Sequence, residues 1–361
     1  MKPIVRAGRM KPVHSDIRGP LFVEAMKRQK QGIDILKLNT GNPATFGFGL
    51  PDSIKNALIE HMQDGVGYCD FKGMPQARQA ICDYETSKGI KGITSDDVFI
   101  GNGVSEVVSF ALTPLLNDGD EVLVPSPSYS LWGNSVYLED GKPVFYTCDE
   151  QANWYPDIQD IRSKITDKTK AIVIINPNNP TGVLYPKELL LEIIQIARES
   201  GLLIFADEIY DRLVMDGKQH ISLASLTEDV PVITLNGLSK SHCLCGYRCG
   251  WMVISGPREL TEDYRQGIIQ LTSLRLCANT MAQIVIPAAL DDMETPASMV
   301  RPGGRIYEQR EATVRELEKI DGLSFVKNDA AFYVFPKLDV KKFNITNDKQ
   351  FAHDLLDATN I

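Results

Sequence analysis

The chain has 361 residues, 43% of them hydrophobic and 24% charged, with a formal net charge of -9. That balance belongs to a folded chain, and the length suits one large α/β domain with a smaller companion. The acidic balance argues against nucleic-acid or anionic-membrane partners, and no apolar run approaches the length of a membrane span.

The segment Met1 to Arg9 has no apolar core of signal-peptide length. The seven cysteines are scattered and odd in number, which reads as a reduced, cytosolic protein. Cys243, Cys245 and Cys249 lie close together beside His242, but their spacing fits no structural zinc pattern, and no metal site is expected.

In chain order, Val98-Phe99-Ile100 reads as a buried strand before Gly101-Asn102-Gly103, followed by an apolar-rich helix over 105–116. Asp118-Gly119-Asp120 makes a turn, and Glu121 to Val124 is a strand closed by Pro125. Ala171 to Ile175 is a strand that leads into Asn176-Pro177-Asn178-Asn179-Pro180-Thr181-Gly182. Pro186 starts a helix whose apolar face is Leu189, Leu190, Ile193, Ile194 and Ala197. Leu202 to Ala206 is a strand ended by Asp207-Glu208-Ile209-Tyr210, and Val232 to Leu235 leads into Asn236-Gly237-Leu238-Ser239-Lys240. Trp251 to Ile254 continues the series. Short apolar strands alternating with helices predict a mostly parallel sheet covered on both faces.

Residues 1–40 and 295–361 carry mixed patterns, with a predicted strand at Phe332 to Phe335 and a last helix with Phe351, Leu355 and Ala358 on its apolar face. The two ends are expected to pack together as a smaller domain beside a large one spanning 41–294.

A lysine, an acid, a phenol and an asparagine each follow a predicted buried strand, where open α/β sheets place ligand groups. That set suits pyridoxal phosphate. Lys240 supplies an amine for a Schiff base with the aldehyde. Asp207 supplies an anion that keeps the ring nitrogen protonated, so that the ring serves as an electron sink. Asn179 and Tyr210 offer hydrogen bonds to the ring oxygen, and Tyr129 a flat partner for the ring face. Gly101 to Ser105 places backbone N–H groups at a helix start for a phosphate, with Arg248 as a charged partner. Singly, each residue has an ordinary reading: a solvated lysine, a helix N-cap, turn chemistry, a surface arginine. A dinucleotide loop is excluded, because Glu106 stands where the third glycine belongs.

Asn-Pro-x-Asn-Pro-Thr-Gly at 176–182, Asp-Glu-x-Tyr at 207–210, Ser-Lys at 239–240 and Gly-x-Arg-x-Gly at 246–250 together resemble the class I/II aminotransferases of pyridoxal-phosphate fold type I. The segments at 16–20, 38–43, 67–70 and 275–279 resemble most the bacterial glutamate–pyruvate (alanine) aminotransferases. The resemblance runs over nearly the whole chain. It implies a mostly parallel seven-stranded sheet in the large domain, with helices on both faces and a smaller α/β domain. It also implies ping-pong transfer of an amino group between an amino acid and a 2-oxo acid, here glutamate and pyruvate, in a cytoplasmic homodimer.

The resemblance implies residue roles as well. Lys240 bonds the cofactor and carries the proton of the 1,3-shift. Asp207 pairs with the ring nitrogen, Asn179 and Tyr210 with the ring oxygen, and Tyr129 stacks on the ring. Gly103, Val104, Ser105, Ser239 and Arg248 hold the phosphate, and Tyr68 reaches that of the neighbouring subunit. Gly41 and Asn179 meet the substrate, with Arg18 or Arg275 for a distal carboxylate.

Departures from the family stand at Ser15, where close relatives have tyrosine, at His242-Cys243, where they have Tyr-Arg, and at Ala330, usually glycine. Relatives also continue past the position of Ile361 and supply an arginine for the substrate α-carboxylate, so a truncated product is expected. A cysteine-conjugate β-lyase, or a non-catalytic cofactor-binding protein, is the alternative activity.

Overall fold

The computed structural model describes residues 3–15 and 18–361. Its centre is a sheet of eight strands: β1 (Val98–Asn102), β2 (Glu121–Ser126), β3 (Lys142–Asp149), β4 (Tyr155–Pro156), β5 (Thr169–Ile175), β6 (Leu203–Asp207), β7 (Val232–Gly237) and β8 (Cys249–Ser255). The spatial order is β1-β8-β7-β6-β5-β2-β3-β4. The run β3-β2-β5-β6-β7 is parallel, while β8 is antiparallel to both of its neighbours and β4 is antiparallel to β3.

The expected seven strands are therefore eight. The additional strand is the two-residue β4, whose register pairs Tyr155 with Asp149 and Pro156 with Cys148. It has no apolar run of its own. Asn153 and Trp154 in left-handed conformations fold the chain back onto β3. Proline is tolerated there because the strand lies at the edge of the sheet.

Both faces of the sheet are buried. In β5, Ala171, Val173 and Ile175 join one apolar cluster with Val122 and Phe205, while Ile172 and Ile174 join another with Leu123 and Ile204. Side chains alternate across a strand, so a run without polar residues feeds both layers. Helices close each layer. The helix Lys187–Ser200 starts after Pro186 and buries Leu190, Ile193, Ile194 and Ala197; Gly201 in a left-handed conformation ends it. The helix expected over 105–116 is Val104–Leu112.

The two chain ends meet. Arg28 Nη1 donates to Leu356 O at 3.1 Å, and Leu36 N to Asn360 O at 3.0 Å. The last helix forms as Asp348–Thr359. The strand expected at Phe332 to Phe335 does not form. Its flanking backbone bonds to loops instead of a ladder, Ala331 N to Leu213 O and Asp329 N to Gly182 O. A short pair, β9 (Leu323–Ser324) and β10 (Lys337–Leu338), lies to either side of it. Among the described residues, no single helix is long and apolar enough to cross a membrane.

A buried ionic cluster ties the sheet to the helix Pro75–Ser87. Lys88 Nζ donates to Glu208 Oε2 at 2.8 Å and to Asp211 Oδ2 at 3.1 Å. It also lies 2.7 Å from Glu85 Oε2, in ionic contact though outside hydrogen-bond alignment. Tyr84 Oη and Asn236 Nδ2 donate to Asp211, and Trp251 Nε1 donates to Glu85. Lys88 thus fills the space between the carboxylates, and burial pushes the adjoining His220 toward its neutral form. Removing one member of such a cluster strands the others without water. Lys88→Met is expected to lower stability by about 3–5 kcal/mol, read as a lower urea midpoint; a loss under about 1 kcal/mol, the range of exposed pairs, would show that the charges are hydrated.

Candidate functional site

The site lies at one edge of the sheet. In register, Ile175 stands beside Asp207 and Asp207 beside Leu235, so β5, β6 and β7 end in one row. Asn176 N donates to Asp207 O, and Glu208 N to Leu235 O, so the ladder continues into the turns that carry the polar residues. β1 ends at the same edge. β8 runs the other way and begins there, with Gly250 level with Gly101 and Gly237. Its reversal delivers Arg248, just before its first residue, to the same place.

A cavity of about 460 Å³ opens there, within the range of small-molecule sites. Gly41, Val104, Ser105, Tyr129, Asn179, Asp207, Tyr210, Ser239, Lys240 and Arg248 all line it. Lys240 follows β7 on the short helix Leu238–Ser241, and its Nζ donates to Gly41 O at 3.0 Å. Burial, and then the nearby Arg248, lower its pKa. Both effects favour the neutral amine, the nucleophilic form.

Asp207 is buried at the base of the cavity. Trp132 Nε1 donates to its Oδ2 at 3.0 Å and Ile209 N to its Oδ1 at 3.4 Å. Desolvation nevertheless pushes its pKa up to about 6. A cationic ring nitrogen facing it would return it to the charged form.

The phosphate end is shaped by glycine. Gly103 has φ +83, and a Cβ there would run into the Arg248 guanidinium. Arg248 Nη2 donates to Ser105 Oγ at 3.1 Å, and its Nη1 to Cys245 O at 3.0 Å. The helix Val104–Leu112 begins at this point, so its first N–H groups and the guanidinium converge. An amine, a buried acid and an anion cradle in one cavity fit pyridoxal phosphate. Lys240 would bond the aldehyde carbon, Asp207 would face the ring nitrogen, and Ser105 and Arg248 would hold the phosphate.

Of the expected residues, Gly103 shapes the cavity's rim through its contact with Arg248 without lining it, and three others lie apart from it. Tyr68 is 83% exposed on another surface. Arg18 is exposed in the turn before the helix Pro20–Lys30; Asp16 and Ile17 of its motif lie outside the described residues. Arg275 Nη1 donates to Glu106 Oε2 at 2.7 Å, and its Nη2 to Phe71 O and Ile100 O. Its charge is already matched within the chain, behind the phosphate turn.

Tyr333 and Trp132 belong to the site without having stood out in the sequence, and Cys245 belongs to it in a role its cysteine cluster did not suggest. Tyr333 and Cys245 line the cavity, and Cys245 Sγ donates to Ser239 O at 3.0 Å. Tyr333 sits in an aromatic run that reads as a strand, and Trp132 in an apolar helix, so neither carried a polar signal. The cysteine group at 243–249 is distributed, with Cys249 buried in the sheet and Cys243 against Met299.

The cost of burying Asp207 sets a pH test on the cofactor-free protein. Its folded pKa of about 6 exceeds its ordinary value of 3.8. Below 3.8 the carboxyl is protonated in both states and costs nothing; as pH rises through about 6 the unfolded state gains from ionisation, and folding loses roughly 3 kcal/mol. Asp207→Asn is therefore expected to raise thermal stability above the parent at pH 8, with the gain fading towards pH 4. A pH-independent difference in melting temperature would show that Asp207 is not desolvated.

Comparison with known proteins places the chain in a family. A sequence model described as "Aminotransferase class I and II" matches residues 33–361. The chain is 50% identical over 356 residues to the glutamate-pyruvate aminotransferase AlaA of Haemophilus influenzae, covering 99% of this chain and 88% of that one. Its structure matches a crystal structure of an aminotransferase from Escherichia coli with TM-score 0.98 at 47% identity, covering 99% of this chain and 89% of that one. It matches the alanine aminotransferase of Pyrococcus furiosus with TM-score 0.92 at 40% identity, covering 98% and 88%.

Proposed function

The chain belongs to the class I and II aminotransferase family and is a pyridoxal-phosphate-dependent transaminase, and from that premise we propose that it exchanges the amino group between glutamate and pyruvate. The observation that carries this reading is the buried Asp207 beneath the cavity that holds Lys240 and Arg248. The relatives named for glutamate–pyruvate and alanine transfer support the choice of substrates.

Pyridoxal phosphate supplies an aldehyde that bonds amines and a ring that accepts the electron pair released at Cα. The chain supplies the rest. Arg248, Ser105, Ser239 and the N–H groups after Gly103 hold the phosphate, and Tyr129 covers one ring face. Asp207 holds the ring proton in place. Asn179 and Tyr210 hold the ring oxygen. Lys240 Nζ, close to Gly41 O, takes the proton from the substrate Cα and returns it one position along. Gly41 and Asn179 meet the α-carboxylate.

We assign the distal carboxylate of glutamate to Arg18, because Arg275 is committed to Glu106. We assign Tyr68 to the phosphate of a second copy. Val66, Tyr68, Leu274 and Leu276 are each more than half exposed around the turn where Thr280 Oγ1 donates to Gly65 O. An apolar face of this kind suits a homodimer. We divide the chain into a large unit at 41–294 and a smaller one from 1–40 and 295–361. Seven free cysteines support a reducing, cytoplasmic setting.

Three experiments test the reading. Adding glutamate to the cofactor-loaded protein should bleach its visible band with release of 2-oxoglutarate, and pyruvate should restore the band with release of alanine. Lys240→Ala should keep phosphate-held cofactor but lose at least about 10²–10⁴-fold in rate, the range of a positioned acid–base group; elimination products without amino transfer would point to a β-lyase. Arg18→Leu should weaken glutamate relative to alanine by about tenfold or more, since a charge-assisted hydrogen bond is worth roughly 1.5–3 kcal/mol. An unchanged glutamate-to-alanine ratio would remove Arg18 from the substrate site.

A further inference from the structure

Tyr210 and Tyr333 stand in an arrangement that the assigned roles leave unused. Their hydroxyl oxygens are 2.9 Å apart. Their rings meet edge to face, with centroids 5.9 Å apart and planes at 78°. Phe332 packs edge to face on Tyr210 as well, at 5.8 Å and 87°. Two consecutive aromatics therefore clamp one phenol. The clamp is anchored through the backbone, because Ala331 N donates to Leu213 O and Met215 N to Asp329 O, next to Tyr210 in the chain. Tyr333 also forms the wall against Gly41, where an added Cβ would lie 2.6 Å from the Tyr333 hydroxyl and 3.5 Å from Lys240 Nζ.

A phenol has one proton to donate and lone pairs to accept with. If Tyr210 gives its proton to the cofactor ring oxygen, it can only accept from Tyr333. We propose that Tyr333 is a positioning residue that donates to the Tyr210 hydroxyl, so that the Tyr210 proton is directed at the ring oxygen and its donation is strengthened. The proposal rests on the reading of Tyr210 as a ring-oxygen partner.

Hydrogen bonds in series polarise one another. A stronger donor at the ring oxygen stabilises its negative charge, and that form is favoured when the lysine–cofactor linkage has lost its proton. The visible band should therefore change form at a lower pH with Tyr333 present than without it. The titratable and charged groups facing the two phenols are Asp207, Cys245 and Tyr129, with Arg248 and Cys243 beside Lys240. Phenylalanine substitutions leave all of these in place and keep both rings.

The test is a double-mutant cycle read by pH titration of the visible band in the cofactor-loaded protein, with cofactor affinity measured alongside by re-addition to the stripped protein. Tyr210→Phe should raise the midpoint by about one pH unit or more, as expected for loss of a hydrogen bond to a charged oxygen. Tyr333→Phe should raise it by a few tenths, about the 10–30% that cooperative strengthening contributes. In the Tyr210→Phe background, Tyr333→Phe should add nothing, because its effect passes through the phenol already removed. No shift in Tyr210→Phe would overturn the ring-oxygen reading itself. A shift in Tyr210→Phe with none in Tyr333→Phe, or an equal Tyr333→Phe shift in both backgrounds, would overturn the relay alone.

Discussion

The register of the central strands is the constraint on which the site depends. Ile175, Asp207 and Leu235 lie side by side, so the residues that follow β5, β6 and β7 emerge at one edge. A one-residue slip would turn Asp207 to the opposite face of the sheet. The buried alternation of Ala171, Val173 and Ile175 against Ile172 and Ile174 blocks that slip, since apolar layers press on both sides. β8 adds Arg248 because it runs backwards, beginning where its neighbours end.

Two buried charge systems sit next to each other at this edge and are balanced differently. Lys88 is surrounded by Glu85, Glu208 and Asp211, each with further donors from tyrosine, asparagine, serine or tryptophan. That cluster is closed within the chain and fixes the loop from Glu208 to Asp211. Asp207, one residue earlier, has two neutral donors and is pushed towards its protonated form. The cluster holds the turn after Asp207 in place, and a cationic ring facing that carboxyl would return it to its charged form.

Two segments remote from the sheet in sequence, around Gly41 and around Tyr333, also line the cavity. Gly41 lends its carbonyl to Lys240, and Tyr333 joins its hydroxyl to that of Tyr210. Neither contact lies within the sheet. The Tyr333 segment is pinned to loops through Ala331 N to Leu213 O and Asp329 N to Gly182 O, so the aromatic run at 332–335 joins no sheet.

The sequence by itself carried the strand series and the polar residues that follow each strand, because apolar runs closed by turn residues are local patterns. Lys240, Asp207, Asn179 and Tyr210 could be picked out in this way and Arg248 from its place between two glycines, and the structure brings all five to one cavity. The two-residue β4 could not, since it forms only when Asn153 and Trp154 fold the chain onto β3. The burial of Asp207 against Trp132, the commitment of Arg275 to Glu106 and the pairing of Tyr333 with Tyr210 were equally invisible. Those partners are separated by 75, 169 and 123 positions in the chain. Local pattern fixes which residues end a strand; only packing decides which distant side chain, neutral or charged, meets them in the low dielectric of the interior.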